Sequence, residues 1–168
     1  MQEVRLTPTS YIVLGLLEFA GECTPYGLKQ LVSASVGNFW TLHHAQLYTE
    51  PERLAKGGYV TEKRERGGRR RRLYEITGKG RSALDDWRSE PTGSLGELRE
   101  PALLKLFFGA DPAAIANAQL PAHRAKLAEY EAIREGMPEI VPDGPRIALE
   151  AGIRNERYFI EFWEELAG

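Results

Sequence analysis

Four consecutive arginines, Arg69 to Arg72, follow a glycine pair at Gly67-Gly68, and the short runs on either side, Tyr59–Arg64 and Leu73–Thr77, have strand character. Two glycines between β-prone runs permit the positive φ of a tight reversal, so the segment reads as a hairpin with a positively charged tip. Guanidinium groups placed there pair with phosphates or with the negative potential of a narrow minor groove. Side chains alternate along a strand, so Arg70 and Arg72 oppose Arg69 and Arg71, and about two of the four can face one way. A solvated loop is the competing reading, as for any charge run. Just upstream, Thr41 to Lys56 reads as a helix stopped at Gly57-Gly58. On it His44, Tyr48 and Glu52 share a face flanked by Gln46, Thr49, Arg53 and Lys56, while Leu47, Pro51 and Leu54 share another. Gln46 carries an amide that can read an adenine edge, and the Tyr48 hydroxyl suits a phosphate or packs against the hairpin.

The charge is local. The chain of 168 residues is at −2 overall, yet residues 1–90 hold 14 Lys/Arg against 11 Asp/Glu and residues 91–168 hold 8 against 13. Between Arg53 and Arg72 stand nine basic residues and two acids, +7 in all. A patch of this kind steers a surface onto phosphates, and the acidic half stays away from them. Helix, hairpin and basic tip together imply a winged helix-turn-helix, a module that grips a DNA duplex. The fold class expected is mainly α with a small β-hairpin wing.

Elements that must hold this face in place come from the rest of the chain. Thr7-Pro8 and Thr24-Pro25 are two helix starts, with threonine as N-cap and proline at the first helical position. The first helix, through YIVLGLLEFA, is apolar on almost every side and so reads as buried all round. A proline inside the third helix removes a backbone hydrogen bond at a cost of roughly 3 kcal/mol, so a kink is expected at Pro51. Thr77 caps a fourth helix through Trp87, and Ser89 to Gly96 breaks the periodicity. The domains are therefore placed at 1–90 (DNA-binding) and 97–168 (helical dimerisation, with effector sensing as a further role). In the second half, Glu97–Phe108, a helix opened by Asp111-Pro112, and Arg146 to Leu166 read as helices. The last of these carries Tyr158, Phe159, Phe162, Trp163 and Leu166 as one stripe, either an intramolecular core or a dimer interface.

Other chemistry finds little footing. One cysteine, Cys23, excludes an internal disulfide, and adjacent His43 and His44 cannot converge on one metal ion. No cofactor is called for, no nucleophile–base pair suggests an enzyme, and no apolar run approaches the ~20 residues of a membrane span. A cytoplasmic protein is expected.

Several of these segments resemble one family. TSYIVLGLLEFAG, the PYGL of the second helix, VGNFW with the following H-x-Q-L-Y, the R-L-x-x-x-G-Y-V transition and LYEIT-x-x-G-R look like PadR-type transcriptional regulators over Leu6 to Arg88. The LLKLFF helix and aromatic last helix are similar to the branch with a virulence-activator-like α-helical C-terminal domain. The resemblance implies a homodimeric repressor of an inverted-repeat DNA operator, released by a small, often aromatic effector whose site is unknown. Carried over by position, His44, Gln46, Tyr48 and Thr49 fall on the recognition helix and Arg69 to Arg72 on the wing. Pro51 departs from the aliphatic residue of many relatives, and the wing is richer in arginine than the family requires. A winged-helix module that binds protein or RNA is the alternative, since fold alone does not decide the partner.

Overall fold

Three threonines start three helices of the N-terminal half. In the computed structural model, which describes residues 4–64 and 71–168, α1 spans Pro8–Ala20, α2 Pro25–Ser33 and α4 Gly78–Ser89. Each is opened by a threonine oxygen that accepts an N–H of the first turn: Thr7 from Ser10, Thr24 from Gly27 at 3.0 Å and Thr77 from Gly80 at 3.1 Å. Gly21, at φ 72°, stops α1.

Between α2 and α4 lie a 3-10 turn, Val36–Asn38, the helix α3, Gln46–Lys56, and the strands β1, Val60–Arg64, and β2, Arg72–Ile76. The strands pair antiparallel from Val60 opposite Ile76 to Arg64 opposite Arg72. The Gly67-Gly68 reversal expected at the tip lies outside the described residues. A one-residue bridge, Cys23 to Tyr74, adds a short third rung on the far side of β2. Val13, Leu14, Leu17, Leu28, Leu47, Leu54, Tyr74 and Leu84 are all buried in one cluster that joins the helices to the hairpin. The expectation that α1 is buried all round is not met: Phe19 is 62% exposed, and Tyr11 is half-buried against Trp87, their rings stacked at 4.7 Å.

The chain divides into two compact units, residues 1–94 and 95–168. In the second, α5 spans Pro101–Phe107, α6 Pro112–Gly136 and α7 Asp143–Ala167. The expected start of α5 at Glu97 is corrected to Pro101. Proline biases the residue before it away from helix, and Glu100 is extended there, its carboxylate accepting the Ala102 N–H at 3.1 Å. Helix α7 begins at Asp143 rather than Arg146, because Pro145 falls in its first turn, where a missing N–H costs nothing. Ion pairs Arg124–Glu164, Arg157–Glu131 and Arg134–Glu150 run in reverse order along the two long helices, which are therefore antiparallel.

The aromatic stripe of α7 faces mostly inward. Trp163 and Phe159 are buried with Ala102, Ala116 and Leu120, and Phe162 and Leu166 pack against that cluster. Tyr158 remains 60% exposed. Phe159 and Trp163, expected at a dimer interface, instead fill the core of their own unit, because α5 and α6 supply the small residues that seat large rings.

Gly80 sets how closely α4 approaches the hairpin. A Cβ there would lie 2.2 Å from the Tyr59 carbonyl oxygen and 2.8 Å from Ile76 Cγ1. Gly80→Ala should therefore destabilise the protein by about 1–3 kcal/mol despite alanine's better helix propensity. An unchanged urea midpoint would show that the helix shifts aside without cost.

Candidate nucleic-acid interface

Helix α3 divides its side chains sharply between core and water. Leu47, Glu50, Pro51 and Leu54 are buried at i, i+3, i+4 and i+7, and Gln46, Tyr48 and Thr49 are exposed. The helix runs on through Pro51, whose ring is fully buried. Its start corrects the expected Thr41. His43 and His44 sit in a turn before it, where Gln46 N–H donates to the His43 carbonyl and Leu47 N–H to the His44 carbonyl. Ala45 at the N-cap offers no side-chain acceptor, so these tighter bonds close the first turn. His44 is exposed beside the helix rather than on it.

Glu50 is the buried charge that orders this helix. It is 8% exposed, and Arg53 donates to both its oxygens, from Nη2 at 2.6 Å and from Nε at 2.9 Å. Ser10 on α1 donates its hydroxyl to Glu50 Oε1 at 2.6 Å and accepts from Arg53 Nη2 at 2.9 Å and Thr7 N–H at 2.8 Å. Arg53 Nη1 donates to the Arg5 carbonyl at 2.8 Å. Burial pushes the Glu50 carboxyl up, but the bonds from Arg53 and Ser10 outweigh it and hold the group below the usual carboxylate range. Arg53, expected to contact DNA, thus has its guanidinium committed inside the protomer by a carboxylate that the helix period buries one turn earlier.

The wing base is also more compensated than its sequence charge suggests. Arg72 reaches Glu52 of α3 at 3.1 Å and Glu62 of β1 at 3.7 Å, so it ties the hairpin to α3. Lys63 pairs with Glu22 and Glu75, Arg64 with Glu62, and Lys56 with Glu52. The Glu52 carboxyl is held low by Lys56 and by Arg72. Among the described residues, Arg53, Lys56, Lys63, Arg64 and Arg72 therefore meet acids on the same unit. Of the arginine run, Arg69 and Arg70 lie outside the described residues.

Sequence reasoning missed Tyr26. It is 60% exposed at the first turn of α2 and lines, with Thr24, Tyr48, Arg71, Arg72 and Tyr74, a cavity of about 320 Å³ between α2, α3 and β2. Two tyrosines with arginines beside the N-terminus of a helix offer donors to a phosphate oxygen. The PYGL motif, read for its resemblance to the family and not for its tyrosine, was the available signal.

An exposed helix face at the end of a three-helix core, followed at once by an antiparallel hairpin, defines a winged helix-turn-helix domain. Residues 13–86 match the Transcriptional regulator PadR-like family and residues 98–168 match the Virulence activator alpha C-term family. The chain belongs to the PadR-like family of transcriptional regulators. It is similar to the negative transcriptional regulator PadR of Bacillus subtilis, 27% identical over 93% of both chains. It shares its fold with the crystal structure of B. subtilis PadR in complex with operator DNA (24% identity, TM-score 0.82, covering 94% of this chain and 96% of the other). It is also similar to the Vibrio cholerae virulence activator AphA (25% identity, TM-score 0.70, 95% of each chain).

Glu50 also gives a signed pH dependence. Its folded pKa is depressed, so its contribution is fully present above the ordinary carboxylate value and is lost as pH falls through the lower folded value. Glu50→Gln should lower the unfolding free energy at pH 7 by about 1.5–3 kcal/mol. The gap to wild type should shrink on acidification below about pH 4.5. Urea titrations with a constant gap from pH 7 to pH 3 would contradict this.

Proposed function

We propose that this protein is a homodimeric, sequence-specific DNA-binding regulator, a repressor of an inverted-repeat operator that a small hydrophobic or aromatic effector releases. The observation that carries the reading is the exposed face of α3, with Gln46, Tyr48 and Thr49 beside a hairpin rooted on it through Arg72 and Glu52. His44 precedes that face, and Arg69 to Arg71 directly precede β2 in the sequence, so we assign all of them to the proposed DNA surface. Gln46 reads a base edge, and Tyr26, Tyr48 and the wing arginines hold phosphates. The relatives agree in kind: one is a negative transcriptional regulator, and B. subtilis PadR has been crystallised with operator DNA and with p-coumaric acid.

The dimer is supported by apolar surface on the second unit. Leu98, Leu104, Phe107, Phe108 and Tyr158 are each at least 60% exposed, more than a lone protomer ordinarily leaves in water. Within the expected interface, Tyr158 contributes its exposed ring, with Phe162 and Leu166 at the margin of the core. Two recognition helices in such a dimer would sit about one duplex turn apart, ~34 Å. Sedimentation should give a dimer at micromolar concentration, and a folded monomer there would contradict it.

Footprinting on the neighbouring promoter tests the whole reading: protection should cover two half-sites related by a two-fold. Gln46→Ala should weaken operator binding by ~1–3 kcal/mol and leave random-DNA binding and the slope of log affinity against log salt nearly unchanged. Equal loss on both DNAs would remove Gln46 from base reading.

A further inference from the structure

Of the two acids on α3, Glu50 is buried and Glu52 is not. Glu52 stands one turn beyond Tyr48 with its side chain 42% exposed, a place where a carboxylate repels phosphates. It is engaged twice, by Lys56 at 3.3 Å on one oxygen and by Arg72 at 3.1 Å on the other. Arg72 is shared in turn, its Nε lying 3.7 Å from Glu62 Oε1. Glu62 is fixed from the core side, because its other oxygen accepts from the hydroxyl of Tyr74, a residue 1% exposed. The same Arg72 lines, with Tyr26 and Tyr48, the cavity of about 320 Å³. Its guanidinium thus borders a place suited to a phosphate and is held there by two carboxylates.

A phosphodiester that takes Arg72 must take it from Glu52 and Glu62, and then lies beside the carboxylate it has displaced. Exposed pairs hold weakly, on the order of 0–1 kcal/mol each, so contact is not forbidden. What the carboxylates cancel is most of the gain from releasing a counterion. That loss falls hardest on random DNA, where the protein settles wherever its charges are best met. An operator fixes the register through base contacts, and a free guanidinium then meets a phosphate only where one happens to lie. Bracing the hairpin does not require the charge, since a glutamine at position 52 would still offer Arg72 an amide oxygen. We propose that Glu52 is a specificity-determining residue, whose carboxylate withholds Arg72 from the DNA backbone and so weakens binding to DNA that carries no operator. This role rests on the DNA-binding reading and surface proposed above.

Fluorescence anisotropy on the full chain tests it, with the footprinted promoter duplex and a shuffled duplex of the same length across a salt series. Glu52→Gln should bind the shuffled duplex about fivefold or more tightly at ~0.1 M salt. Its slope of log affinity against log salt should steepen by roughly 1.8 for a dimer, about 0.9 for each protomer's new phosphate. Operator affinity should rise less, so that the ratio of operator to shuffled affinity falls by about threefold or more. Arg72→Gln should keep the wild-type slope on the shuffled duplex, and Glu52→Gln/Arg72→Gln should return to it. Circular dichroism should show all three variants folded, because both side chains lie at the surface. An unchanged slope or ratio in Glu52→Gln would overturn the inference. So would a shallower slope in Arg72→Gln, which would place that guanidinium on a phosphate already. A gain that persists in the double variant would also do so, as the loss of one negative charge without any release of Arg72. A two-fold footprint with the wild-type slope in Glu52→Gln sinks this role alone, and no binding to either duplex sinks the regulatory reading with it.

Discussion

A carboxylate that is 8% exposed can stay ionised only if something else replaces its water, and Glu50 obliges three segments to do so at once. Arg53 comes from the next turn of α3, Ser10 from α1, and Arg5 lends its carbonyl to hold the other side of the guanidinium. Every polar atom of the cluster has a direction, so α3 cannot rotate about its axis or slide along α1 without stranding a buried charge. Apolar contacts at Leu47 and Leu54 are less demanding, because cores tolerate small shifts that hydrogen bonds do not. The cluster is therefore what turns a packed helix into an oriented one. Gln46, Tyr48 and Thr49 inherit their directions from it.

The same constraint explains what the sequence disclosed and what it hid. Helix starts were legible because capping is local: Thr7, Thr24, Thr77 and Asp111 each act within three residues of themselves. Hairpin and two-unit organisation were legible for the same reason, from alternation and from a stretch without period. The start of α3 was not, since His43, His44 and Ala45 cap nothing and the turn is closed by backbone bonds alone. The bonding of Arg53 inside the protomer was not legible, because two of its three partners, Ser10 and Arg5, lie forty or more positions away in sequence. One signal was present: Glu50 falls on the i, i+3, i+4, i+7 row with Leu47, Pro51 and Leu54. An acid on a buried row predicts a cation beside it.

Aromatic residues of α7 teach a related lesson about volume. Four of them in one stripe with Leu166 exceeded what three helices were expected to bury, yet α5 and α6 contribute Ala102 and Ala116 at the points of contact, both fully or nearly buried. Small residues on one helix make room for large ones on another, and the count of rings alone does not reveal that pairing. Apolar surface is left over at Phe107 and Phe108, at the end of α5, and at Tyr158 on the outer side of α7.

Charge counting fails at the wing in the same manner. A window summing to +7 suggests a uniform basic surface, but three acids from outside it, Glu22, Glu52 and Glu75, and Glu62 within it pair with the basic residues at its base. Each exposed pair stabilises little by itself, on the order of 0–1 kcal/mol. Their effect lies in arrangement. Arg72 braced between Glu52 and Glu62 links α3 to both strands, so the hairpin and the recognition helix share a frame. Positive charge at the base of the hairpin positions the wing rather than standing free in solvent. Two polar devices thus fix the proposed DNA surface: a buried one that orients α3 against α1, and an exposed one that sets the hairpin against α3.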